Sequence, residues 1–142
     1  MVFGKKKRSI VRLLIVEDEP LVAFELEHVL TEQDYVVVAT VDRVATAIAL
    51  IDKGTAIDLV LVDVNLADGS GIDVARAAAA RGVAVMFVTG QFPPDGGEYA
   101  VGCLIKPYDQ RDLLGAIEVI DAQAAGRKVK RMPRGFRVFE KA

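Results

Sequence analysis

Four apolar runs, at residues 10–16, 57–62, 83–88 and 101–105, each end on side chains able to take part in chemistry: Glu17 and Asp18, Asp63, Thr89, and Lys106. Runs this short and this rich in branched residues read as strands covered on both faces, as the central strands of a parallel sheet are. An open α/β sheet binds ligands at the carboxyl ends of such strands. Three carboxylates gathered there repel one another, each pair by roughly 4 kcal/mol at about 4 Å and an effective dielectric of about 20. A hard, oxygen-seeking cation such as Mg²⁺ (or Mn²⁺) answers that repulsion and leaves room for waters and a phosphate. The set then holds what phosphoryl transfer requires: a nucleophile, a metal to bridge oxygens, and donors for spreading charge. Asp63 is the candidate nucleophile, forming an acyl phosphate. Glu17 and Asp18 are candidate metal ligands, directly or through water. Lys106 supplies a point charge to one phosphoryl oxygen and the Thr89 hydroxyl a donor to another.

The intervening elements must bring these ends to one edge. Pro20 suits the first turn of a helix reaching about Glu32, with Val22, Leu26, Val29 and Leu30 on one face. Residues 35–39 form a second strand. Asp42 is placed to cap a second helix carrying Val44, Ala47, Ile48 and Ile51, which Gly54 stops. Residues 68–71 form a turn, an Ala-rich helix follows to Arg81, and Gly82 ends it. Between Thr89 and the fifth strand, Gly90, Pro93, Pro94, Gly96 and Gly97 oppose a long helix. Asp109 or Asp112 starts a last helix whose inner face is Leu113, Ile117, Ile120 and Ala124. The expectation is an α/β fold: a doubly wound, five-stranded parallel sheet of order 2-1-3-4-5 with right-handed crossovers and a shortened or irregular fourth helix. In that order the polar strand ends converge across the switch point.

The formal net charge of −2 conceals an uneven distribution. Residues 10–125 carry 7 Lys/Arg against 19 Asp/Glu, whereas residues 1–9 carry +4 and residues 126–142 carry 7 basic residues against 1 acidic. An acidic body over 10–125 is thus flanked by a basic arm over 1–9 and a basic tail over 126–142, and such segments interact with anionic surfaces, the body included. Phe136, Val138 and Phe139 offer the tail a hydrophobic anchor. The tail is too short for a helix-turn-helix, so no specific nucleic-acid partner is expected. No apolar run approaches a membrane span. The single Cys103 has no internal disulfide partner, which fits a cytoplasmic protein.

These residues carry a family resemblance. Val16-Glu17-Asp18-Glu19-Pro20, Asp63 with Asn65 two residues on, Thr89-Gly90 and Lys106-Pro107-Tyr108 resemble, in order and spacing, the motifs of two-component response-regulator receiver domains, across about residues 10–125. The resemblance implies that Asp63 accepts its phosphoryl group from a phosphohistidine of a sensor histidine kinase or histidine phosphotransfer protein. It also implies that the Asn65 backbone carbonyl helps ligate Mg²⁺ and that the Lys106-Pro107 peptide is cis. Phe87-Val88-Thr89-Gly90 further resembles a single-domain bacterial subgroup with a Phe-Ala-Thr-Gly-aromatic motif, Val88 and Gln91 standing in place of the alanine and the aromatic. Cys103 occupies the position, three residues before the lysine, where receivers usually carry Tyr or Phe.

The expected role is that of a stand-alone receiver in two-component signalling, with no enzyme activity beyond self-catalysed phosphotransfer to Asp63 and its autodephosphorylation. Asn65 and Gln91 are placed to position the water that hydrolyses the acyl phosphate, and Cys103, Pro107 and Tyr108 to modulate switching. One rival is a phosphohydrolase working through an aspartyl phosphate, which Asn65 disfavours because such enzymes keep a general acid two residues after the nucleophile. A phosphorylation-independent binding module is the other, and the acid, threonine and lysine set weighs against it.

Overall fold

The computed structural model describes residues 8–94, 96–129 and 131–139. Strands β1 (Arg12–Val16), β3 (Leu59–Val62) and β6 (Ala84–Thr89) are apolar at almost every position because each is covered on both faces. Along β1 the side chains alternate with the pleat. Leu13 and Ile15 pack with helices α1 (Pro20–Glu32) and α4 (Gln110–Ala124), and Leu14 and Val16 with α2 (Val44–Asp52) and α3 (Gly71–Ala80). The result is a sheet between two pairs of helices. Its parallel part has the order β2–β1–β3–β6–β7, with β2 at Val36–Val41 and β7 at Gly102–Ile105, which is the expected order in spatial terms.

Several local expectations are corrected. Asp42 does not cap α2: the N-cap is Arg43, with no side-chain bond, and the first amides are met from across a loop. Asp68 accepts from Val44 N at 2.8 Å and Ala45 N at 3.2 Å, so a carboxylate distant in sequence does the capping. Residues 68–71 are more than a turn. Asn65–Leu66 (β4) and Gly69–Ser70 (β5) form a small antiparallel hairpin, and Ser70 caps α3 by accepting from Ile72 N. Asp109, of the two candidates, caps α4 through Asp112 N. Ala124 is exposed in the last turn of α4, and Ala116, Val119 and Ala122 are buried instead. Thr89 lies within β6, paired with Ile105, rather than after it.

Between β6 and β7 the chain makes only a 3₁₀ turn at Gly96–Glu98, consistent with its glycines and prolines. Side chains do the work of the missing helix. Phe92 and Tyr99 from this segment, with Phe139 from the far end of the chain, pack on the cluster holding Phe87, Ala100 and Cys103. Phe139 arrives there because residues 131–139 dock on the body. Phe136–Val138 forms a sixth strand, β8, antiparallel to β7 at the sheet edge. Of the basic arm, Arg8 and Ser9 are described and residues 1–7 lie outside the described residues. Arg8 donates to Gln33 O and stacks over the Tyr35 ring at 4.1 Å.

Two aspartates tie the strands and ends together. Buried Asp121 accepts from the Ser9 and Ile10 amides, each at 2.8 Å, and from the Arg127 guanidinium at 2.8 Å. Asp58 accepts from Val11 N at 3.0 Å and Arg12 N at 2.9 Å, with the Arg12 guanidinium alongside. Burial alone would raise the Asp58 pKa, but the Arg12 and Val11 amides and the guanidinium outweigh it and lower it from 3.8. A depressed carboxylate stabilises the fold above its unfolded pKa and loses that contribution as pH falls through the folded one. Asp58→Asn is therefore expected to cost about 1.5 kcal/mol near neutral pH. In urea unfolding, the gap to the natural protein should close as pH drops below 3.8; a gap independent of pH would contradict this.

Candidate functional site

Backbone ladders place the acids and the lysine. Glu17 N donates to Val41 O at 3.0 Å, Asp63 N to Val16 O at 3.1 Å and Lys106 N to Thr89 O at 2.8 Å. Each residue is thus held one step beyond its strand, bonded to the neighbouring strand. The sheet edge is as fixed at these positions as the ladders behind it.

Lys106 Nζ sits between two carboxylates, 2.7 Å from Glu17 Oε1 and 2.8 Å from Asp63 Oδ2, with Glu19 Oε2 at 3.6 Å. Glu17 and Asp63 are buried, at 3% and 9% exposure. Burial opposes the Lys106 ammonium, but hydrogen bonds to Asp63 and Glu17 outweigh it and raise the lysine pKa, so the lysine stays charged. For Glu17 the balance goes the other way. Burial raises its pKa, and the Lys106 and Glu19 hydrogen bonds recover only part of the cost. Two buried carboxylates share this one ammonium. The second Glu17 oxygen accepts from Glu19 N at 3.1 Å, and Asp63 Oδ1 accepts from Asn65 N at 3.0 Å. The Thr89 hydroxyl is buried and has no hydrogen-bond partner. An unpaired buried hydroxyl costs free energy unless something else completes it.

The other residues singled out are spread around this centre. Asp18 is half-buried beside Glu17, whereas Asn65 and Gln91 are exposed on the flanking loops. The Lys106-Pro107 peptide is cis. Tyr108 is half-buried beside the α1 and α4 layer, its phenol pushed up to about 12 by burial despite Lys106 nearby. Cys103 is fully buried on β7 and away from the acids, its thiol pushed up to about 12 by burial with Arg137 opposing. Among the described residues, no group of three His, Cys, Asp or Glu side chains stands in an arrangement able to hold a metal ion; two of the acids are turned to Lys106 instead.

Gly71 was not anticipated. Its amide donates to Val64 O at 2.7 Å, and a Cβ on it would stand 2.0 Å from the Asp63 carbonyl oxygen. The start of α3 therefore presses directly on the backbone of Asp63. Glycine eight residues after the acid was visible in the sequence, but nothing there marked it as a contact.

Comparison with known proteins decides what frame this site belongs to. The family model for the response regulator receiver domain matches residues 13–118. The chain belongs to that family. The receiver is 33% identical over 116 residues to the transcriptional regulatory protein PdtaR of Mycobacterium tuberculosis, a match covering 76% of this chain and 55% of that protein. It is 34% identical over 80 residues to the TorCAD operon transcriptional regulatory protein TorR of Escherichia coli, covering 56% and 34%. The chain thus spans about half the length of PdtaR and a third of TorR. Among solved structures, a CheY-like receiver domain protein from Methanospirillum hungatei superposes with a TM-score of 0.74 at 25% identity, covering 83% of this chain and 98% of the other. A receiver protein from Sinorhizobium medicae gives 0.69 at 25% identity, covering 79% and 94%.

In this receiver the Gly71 contact is open to a direct check. Gly71→Ala is expected to destabilise by about 3 kcal/mol, since overfilling a packed site forces the backbone to move. Chemical denaturation measures it, and a cost under about 1 kcal/mol would show that the contact yields freely.

Proposed function

We propose that Asp63 is the phosphoryl acceptor of this receiver, in a Mg²⁺-dependent step fed by a sensor histidine kinase or histidine phosphotransfer protein. The observation that carries the reading is the Lys106 ammonium held 2.8 Å from the Asp63 carboxylate and 2.7 Å from Glu17, with the orphaned Thr89 hydroxyl at the same sheet edge. Glu17, Asp18 and Asp63 are hard oxygen donors, and two of them, buried, share a single ammonium, so the residues suit a divalent cation. Glu17, Asp18, Asp63 and the Asn65 carbonyl would hold it once Glu17 and Asp63 turn from Lys106, since the carboxylates as paired with the lysine are not grouped as a metal site. A bound Mg²⁺ would supply positive charge to offset these carboxylates and the charge that spreads over the phosphoryl group.

The chain's own residues do the rest. An Asp63 carboxylate oxygen bonds to phosphorus as the donor histidine's N–P bond breaks, and the histidine nitrogen keeps the electron pair. Lys106 transfers its hydrogen bond from the carboxylate to a phosphoryl oxygen, and the Thr89 hydroxyl gains the acceptor it lacks. Hydrolysis later cleaves the P–O bond, returning the carboxylate and inorganic phosphate. Asn65 and Gln91, exposed on either side, position the attacking water. The segment from Gly90 to Ala100 follows Thr89 and is the part that responds.

Radiolabelled phosphotransfer from purified kinases tests the acceptor directly. Label is expected on the natural protein and absent from Asp63→Asn, and label retained by that variant would sink the assignment. Asn65→Leu and Gln91→Leu are each expected to lengthen the lifetime of the labelled protein about tenfold, equivalent to roughly 1.4 kcal/mol of barrier. Decay rates unchanged in both would remove them from a role in hydrolysis.

A further inference from the structure

Residues 133–139 lie beyond the stretch matched by the receiver family, yet the body is shaped to receive them. A Cβ on Gly102 would stand 2.8 Å from the Phe136 ring, and one on Gly115 2.9 Å from Pro133. Neither distance is tolerable, so β7 and α4 carry glycine where the segment seats its ring and its proline. Gly97, in the segment that replaces the fourth helix, lies under Phe139. On β8 the register pairs Leu104 with Phe136, Cys103 with Arg137 and Gly102 with Val138. Ile105 N donates to Gly135 O and Phe139 N to Val101 O, each at 2.9 Å. The Arg137 guanidinium lies 4.3 Å over the Phe92 ring.

Strand β7 therefore has one edge on the acceptor site and the other on this segment. Thr89 pairs with Ile105 across β6 and β7, and Lys106 N donates to Thr89 O. Three residues beyond Thr89, Phe92 is under Arg137. We propose that Pro133 to Phe139 form a clasp that phosphorylation of Asp63 releases, an inference that rests on Asp63 being the acceptor. A phosphoryl group on Asp63 draws the Thr89 hydroxyl toward the acid. Gly90 to Phe92 follow, and the Phe92 ring leaves the Arg137 guanidinium. A three-residue edge strand has little hold once such a contact is lost, because edge pairings open at low free energy. Release uncovers the β7 edge together with the Phe136 and Phe139 rings in their basic stretch. Thermodynamic reciprocity follows: whatever loosens the clasp must favour the phosphorylated state.

The test is amide hydrogen exchange on the full chain in Mg²⁺, with and without beryllofluoride as the acyl-phosphate mimic. Fluorine NMR reports separately whether the mimic is bound, with Asp63→Asn as the unloaded control. With the site loaded, the amides of Ile105 and Phe139 should exchange at least about fivefold faster, the lower end of allosteric couplings. Arg137→Ser and Phe136→Ala should each tighten beryllofluoride binding by about the same factor. Arg137 is exposed, so its replacement leaves the fold in place even where loss of the Phe136 ring does not. A loaded site with unchanged or slower exchange at the two amides overturns the clasp and leaves the acceptor assignment standing, as does unaltered affinity in Arg137→Ser. Failure of the mimic to bind the natural protein overturns the acceptor reading and the clasp with it.

Discussion

One ammonium group balances two buried carboxylates at the sheet edge, and much of the architecture serves that balance. Desolvating an acid is costly, and the cost is borne only where a counter-charge and hydrogen bonds meet it. Lys106 meets Glu17 and Asp63 together, within 2.7 and 2.8 Å. It can do so because three strands deliver their next residues through ladder bonds rather than through free loops. A looser frame would let the carboxylates swing to water and the site would lose its geometry. Burial raises the Glu17 pKa, and the hydrogen bonds from Lys106 and Glu19 oppose that rise only in part.

The same edge explains why small residues matter where they do. Gly71 lets the first turn of α3 close on the backbone of Asp63, and the alanines of α3 bring that helix close to Val62 and Phe87 in a shared cluster. The price of such close packing is intolerance. A methyl group at residue 71 cannot be absorbed by a side-chain rotation, because what it meets is main chain. Asp68 works in the opposite manner: an exposed carboxylate, drawn below its usual range by the Val44 amide, caps a helix from outside its own sequence. The hairpin of β4 and β5 connects the two, so the loop after Asp63 both caps α2 and starts α3.

Most of the frame was legible because hydrophobic periodicity and chemistry agreed. The buried runs, the strand order and the identity of the converging strand ends were all readable, since double-sided burial writes an unbroken apolar run and strand ends carry the polar residues. The glycines and prolines after Thr89 correctly denied a long helix there. What was illegible depends on contacts between residues far apart in the chain. Nothing local distinguishes Asp68 as a cap for α2 from Asp42, which sits at the usual position. Asp121 follows an apolar face and reads as solvent-facing until the Ser9 and Ile10 amides are seen bonding to it. Strand β8 was readable only as a hydrophobic anchor in a basic tail, because three residues carry too little pattern to specify a partner edge.

Cys103 joins these threads. A large aromatic side chain there would have to share space with Phe87, Phe92, Ala100 and Phe139, which belong to the same cluster. A small apolar residue fits, and burial holds its thiol protonated, at a pKa of about 12, so it behaves as packing and not as a reactive group. Rings on neighbouring elements share the Cys103 cluster: Phe92 on the segment after Thr89, and Phe139 just beyond β8. Part of the packing around Cys103 thus comes from two segments that join the body mainly at its edge. Segments held in that manner open more readily than a central strand.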